Sequence, residues 1–345
     1  MKDPFFIKPI PWLSDLVRPL SRRLDLVTLP LHIHEVVFAA LLYSVIFYPI
    51  SPVVSRLIAP QHYSKLSRKK RLNWDAHVVS MVQSLFINGL ALWIKWVDVE
   101  RGTMDREGRI WGYSGAPAFL QSMAVGYFVW DLIVTSINLD VFGIGTLAHA
   151  ISALTVFSLG FVCAQSDCSA EKLAYHTWQK PFVNYYGCNF ILFELSTPFL
   201  NIHWFMDKVN MTGSNLQLYN GFALLFTFFA SRLVYGPYQS YRVFSDIFGL
   251  SGQNPSSPGK GVFTYVTTQT YIPKWLSFAY IASNATLTFL NFYWFFMMVR
   301  AVRKRFVASP KINHGHEQPA IKAENHQSAN TSAISPQSKA RSRRA

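Results

Sequence analysis

Five polar residues interrupt otherwise apolar stretches of this chain: Gln83, Asp131, His149, Glu194 and Arg232. An ionisable side chain within such a stretch costs a few kcal/mol or more if the stretch lies in lipid, so it marks either function or a structural pair. Histidine is the side chain best matched to proton transfer near neutral pH. Glu194 and Arg232 carry opposite charges. Arg232 is expected to act as a counter-ion reaching along a helix bundle, or to snorkel toward an interface. The plainer alternative stays open: Asp–His and Glu–Arg pairs hold helices together in many bundles.

The elements that carry these residues follow from composition. Half of the 345 residues are apolar and only 14% are charged, whereas soluble domains carry about a quarter charged residues. The net charge of +14 is bunched into short basic stretches. That pattern fits the positive-inside bias of membrane loops rather than a nucleic-acid-binding face. Three cysteines, Cys163, Cys168 and Cys188, lack paired-ligand spacing, and an odd number argues against a disulfide framework. No metal site and no resident cofactor are expected.

A bilayer core needs about 20 apolar residues per helix. Seven windows qualify: 36–55, 77–97, 118–138, 141–164, 182–201, 218–237 and 275–299. The expected fold is therefore an all-α integral membrane bundle of about seven transmembrane helices. Pro49 and Pro52 are expected to kink the first. Gly126, Gly143, Gly145, Gly187 and Pro198 are expected to allow close helix approach or bending. Lys95, Trp93 and Trp96 read as interfacial anchors. Residues 1–33 form a lead-in, amphipathic through Trp12, Leu13, Leu16, Val17 and Leu20, that would lie at the interface. Residues 34–69 hold the first span and a basic loop, 70–306 the main membrane domain, and 307–345 a disordered basic tail.

The basic runs Ser64–Arg71 and Arg300–Arg305 belong in the cytosol. Alternating spans then put the C-terminus in the cytosol and the acidic loop 98–117 in the lumen. The sequons at Asn210, Asn284 and Asn330 should carry no glycan in that topology. Arg341 and Arg343 would fit a retention signal. Counting a rise of about 1.5 Å per residue puts Asp131 and His149 roughly 12 Å from the cytosolic face, with Glu194 and Gln83 at roughly 10 and 9 Å. The same count leaves Arg232 deeper, at roughly 20 Å.

At these residues the sequence resembles the TLC family, the membrane domain shared by ceramide synthases and other lipid-homeostasis proteins. Asn73–Leu85 looks like the opening of that domain. Gly126–Leu132 (GYFVWDL) and Leu147–Leu154 (LAHAISAL) resemble its aspartate- and histidine-bearing elements. Glu194–Lys208 (ELSTPFLNIHWFMDK) is similar to a signature of the branch outside the ceramide synthases, and Arg232–Tyr241 continues the match. The resemblance implies a protein of lipid homeostasis in the endoplasmic reticulum or another secretory-pathway membrane. Its partner would be a membrane lipid held at Gln83, Asp131, His149, Glu194 and Arg232, with protein partners left open and nucleic acid excluded. Ceramide synthases resemble one another in an adjacent His-His pair. Here Ala150 follows His149, which speaks against ceramide synthesis. An acyltransferase using acyl-CoA as co-substrate, with His149 and Asp131 catalytic, is the alternative, and a lipid transporter or trafficking receptor the next.

Overall fold

The structure, a computed structural model, describes residues 1–162, 181–251 and 274–306. Cys163, Cys168, Asn330, Arg341, Arg343 and the whole 307–345 tail lie outside the described residues. The described chain is built of helices. Helix α1 (Pro11–Arg23) starts at a proline, whose missing N–H costs nothing in a first turn. Among the described residues, six longer helices are long and apolar enough to cross a bilayer. They are α2 (Leu29–Ile58), α3 (Arg68–Val97), the run Arg106–Ile137 whose main part is α4 (Gly115–Ile137), α5 (Leu139–Leu159), α8 (Asn215–Gly249) and α9 (Lys274–Arg303).

The fifth expected window is not one continuous helix. It falls in a run of α6 (Asn184–Phe190), a 3₁₀ stretch (Ile191–Ser196) and α7 (Thr197–Lys208). Pro198 supplies part of the reason, since it removes an N–H and can only open a helix, as it does at the start of α7. Pro49 acts similarly in α2, where the ladder loosens into a π turn over Ile46–Ile50.

α4 is the axis of the bundle: 78% of the apolar window in its run is buried, against 11% for α9. α2, α5 and α6 pack around it. Gly126 permits a close approach of α4 to α2, because a Cβ there would come within 2.4 Å of the Val36 carbonyl oxygen. Gly143 takes a left-handed φ of 80° and kinks α5 near its start. Gly145 and Gly187 do not serve close approach; nothing lies within 4 Å of a Cβ at the first, and only Gln121 reaches 4.0 Å at the second.

Outward faces are apolar, with Leu41, Phe226, Phe289 and Phe296 all exposed. Such contiguous apolar exposure requires lipid as solvent. The protein is an integral membrane protein. On α1, Leu13 and Val17 pack against the bundle while Trp12, Leu16 and Leu20 face outward. The loops at one end meet: Lys69 pairs with Asp140 at 2.6 Å, and the Asn210 amide lies 3.5 Å from His62 Nε2.

Candidate functional site

Arg232 sits near the midpoint of α8, where the helix widens into a π turn over Phe229–Tyr235. Its guanidinium is buried and fully engaged. Nε donates to the Phe193 carbonyl at 2.8 Å and to Ser196 Oγ at 3.2 Å. Nη1 donates to Asn291 Oδ1 at 3.1 Å and Nη2 to Thr197 Oγ1 at 3.2 Å. Glu194 Oε1 lies 3.5 Å from Nη2, and Glu194 Oε2 accepts from Thr197 Oγ1 at 2.7 Å. The irregular turns make these contacts available, since a 3₁₀ stretch leaves carbonyls without an α-helical partner. One cation thereby ties the 3₁₀ stretch, α8 and α9 together.

His149 lies near the midpoint of α5, its ring against Trp294 at 5.6 Å and Phe128 at 6.1 Å between centroids. It hydrogen-bonds to none of the described residues. With Glu194, Arg232 and Asn291 it lines a small cavity of about 30 Å³ whose apolar walls include Phe128, Ala153, Phe157, Phe190 and Phe193. The arrangement is amphipathic, with an ion pair, an amide and an imidazole set among aromatic rings.

The remaining expected site residues, Asp131 and Gln83, do not line this cavity. Asp131 accepts from Thr135 Oγ1, one turn along α4, at 3.3 Å, and it does not hydrogen-bond to His149. Gln83, near the midpoint of α3, is fully buried with neither end of its amide hydrogen-bonded. Arg232 meets Glu194 directly, Nη2 lying 3.5 Å from Oε1, as expected of a counter-ion reaching along the bundle.

Asn291 escaped sequence reasoning because the last span carries no charge. A signal was there: Asn284 and Asn291 are seven apart on one face, and both are buried, Asn284 accepting from Ser240 Oγ at 3.0 Å. Lys95 likewise is not a simple interfacial anchor. It donates to Asn189 Oδ1 at 2.9 Å and Tyr235 Oη at 2.8 Å, and Arg101 shares that amide oxygen at 2.8 Å. Trp96, in contrast, is exposed as an anchor should be. Outside the spans, burial and the Asp75 carboxylate push the Tyr63 hydroxyl up to about 12, so it serves as a neutral donor to Asp75 at 3.0 Å.

The TLC domain matches residues 73–300. The chain belongs to the TLC domain family. It is 36% identical over 293 residues to an uncharacterised TLC domain-containing protein of Schizosaccharomyces pombe, covering 85% of this chain and 86% of that one. Topoisomerase I damage affected protein 4 of Saccharomyces cerevisiae is 23% identical, covering 81% of this chain and 87% of its own length. TLC domain-containing protein 4-B of Danio rerio is 26% identical, with 76% and 85% covered. No solved structure matches the chain. Every residue of the cavity wall falls inside the TLC domain.

Proposed function

We propose that this TLC domain protein serves lipid homeostasis in a secretory-pathway membrane, the endoplasmic reticulum first, by binding, moving or regulating a membrane lipid at the His149–Glu194–Arg232 cavity. The observation that carries this reading is the pairing of a buried ion pair and an unbonded imidazole with aromatic walls. The space open between the side chains is about 30 Å³, room for about two waters, so a lipid head enters as the aromatic walls move apart, while its chains lie between helices facing the bilayer. The basic loops support a reading in which the Lys69 end and the C-terminus face the cytosol.

The test is lipidomic. Cells lacking the protein are complemented with wild type, His149→Ala, or a triple variant changing Asp131, His149 and Glu194 to alanine. The triple variant should fail to restore the altered lipid class. Normal lipid levels in cells making only the triple variant would remove the site.

A second reading, an acyl-CoA-dependent N- or O-acyltransferase, is favoured by one observation: the His149 ring lines the cavity without a hydrogen-bond partner among the described residues, as a general base awaiting substrate would. Asp131 would not orient it by a direct hydrogen bond, which leaves Glu194 as the nearer carboxylate in the wall. Purified protein incubated with labelled acyl-CoA and lipid amines or hydroxyls should transfer label if this holds. Absence of transfer leaves binding without chemistry.

A further inference from the structure

A second polar cluster lies where the amino-terminal segment folds back on α2, and it shares no residue with the His149 cavity. His32 and Glu35 are three residues apart and therefore on one face of α2. His32 Nδ1 is 3.2 Å from each Glu35 oxygen and 3.9 Å from Asp3 Oδ2. One donor atom from each of the three residues lies within 4.8 Å of the others. The His32 and Glu35 side chains are 1% and 0% exposed, while Asp3 at 33% opens the cluster to the outside.

Charge makes this arrangement unusual. Among the described residues, the ion-pair partners of Asp3 and Glu35 are only His32 and His34. Neither carboxylate meets a lysine or arginine. Two adjacent carboxylates with one buried in an apolar bundle repel each other, unless a proton or a cation sits between them. The second observation concerns the imidazole. His32 Nε2 lies 3.1 Å from the Tyr113 hydroxyl. Donation of Nε2–H to that oxygen leaves the Nδ1 lone pair facing the carboxylates. A hydrogen bond from the far ring nitrogen is the outer-shell support that metal-bound histidines use. A third observation is the neighbouring His34 ring, 2% exposed, with Nε2 3.7 Å from Glu35 Oε1. That nitrogen donates to the Ile7 carbonyl at 3.0 Å, and its Nδ1 has no partner.

The spacing suits a small divalent ion. Zinc bonds nitrogen and oxygen at about 2.0–2.2 Å, so tetrahedral ligands stand roughly 3.4 Å apart, between the 3.2 and 3.9 Å found here. One imidazole and two carboxylates is a ligand set that zinc accepts. We propose that Asp3, His32 and Glu35 form a zinc site, with its fourth position on the exposed Asp3 side open to water. The sequence expectation of no metal weighed only the cysteines; this trio joins the amino-terminal lead-in to the first membrane helix.

The experiment uses full-length protein carrying a tag without histidines, stripped with chelator and dialysed against micromolar Zn²⁺, with retained metal measured by elemental mass spectrometry. About one zinc per chain is expected for the wild type. Asp3→Asn and Glu35→Gln should each lower retention at least tenfold. Zinc should also raise the Tm of the stripped wild type, as a ligand specific to the folded state does, and leave Asp3→Asn unmoved. Asp3 is partly exposed near the chain start, so its variant tests the site without emptying the core. No zinc retained by well-folded stripped protein would overturn the proposal. So would equal zinc in wild type and Asp3→Asn, or retention of Mg²⁺ or Ca²⁺ in preference to Zn²⁺. The lipid reading stands or falls separately, because its variants lie elsewhere.

Discussion

Arg232 and His149 line the same cavity yet should answer differently to substitution. Arg232 is spent on five acceptors from neighbouring elements, so removing it strands a buried carboxylate. Arg232→Ala should cost about 3–5 kcal/mol, the usual penalty for breaking a buried pair, read as thermal unfolding in detergent. A paired Glu194→Gln, Arg232→Gln change should cost less than the sum of its single changes, because neither charge is then left alone. Strict additivity would show that the two groups do not interact. His149 makes ring contacts only, which are worth about 0.5–1.5 kcal/mol each. His149→Ala should therefore lower stability by about 1–3 kcal/mol while abolishing lipid correction, a split that a structural histidine would not give. His149, Glu194 and Arg232 of the cavity wall stand out in the sequence against apolar windows, whereas Gln83 and Asp131, singled out on the same ground, do not line it. Their partners were not. Asn291 and the phenylalanines look like ordinary members of a span until packing shows which face they turn.

Helix geometry decided what residue counting could not. Counting assumes regular α turns, but Arg232 and Glu194 both sit in irregular ones, a π turn and a 3₁₀ stretch, and Gly143 breaks α5 ahead of His149. Among the described residues the apolar windows located the long helices and misjudged the run around 184–208, where an apolar window folds as two short α-helices on either side of a 3₁₀ stretch. The same geometry separates glycines that look alike in sequence. Gly126→Val should destabilise by about 1–3 kcal/mol, since overpacking forces backbone apart where a Cβ would lie 2.4 Å from the Val36 oxygen. Gly145→Ala, with open space around it, should be neutral or slightly stabilising. Thermal unfolding of both variants checks the pair, and equal effects would show that α2 and α4 are not in that contact.

At the scale of the molecule, orientation and lipid contact remain to be measured together. The Lys69–Asp140 pair and the Asn210–His62 contact gather three loops at one end, as the charge distribution expects. In sealed microsomes, a cysteine placed at Lys69 should react with an impermeant reagent at once. One placed at Glu107 should react only after permeabilisation, and Asn210 should carry no glycan. The reverse labelling, or a glycan at Asn210, would invert the topology.

Most direct for the central claim is the lipid that leaves the membrane with the protein. Ala153 lines the cavity with His149 and Glu194, so Ala153→Phe fills the space without touching a charge. Wild-type protein extracted in mild detergent should carry one lipid class enriched above its share of the membrane, detected by mass spectrometry. Ala153→Phe protein, folded to within a few degrees of the wild-type Tm, should lose that enrichment. Identical lipid profiles in the two proteins, both matching the bulk membrane, would show that the cavity is packing space and not a lipid site.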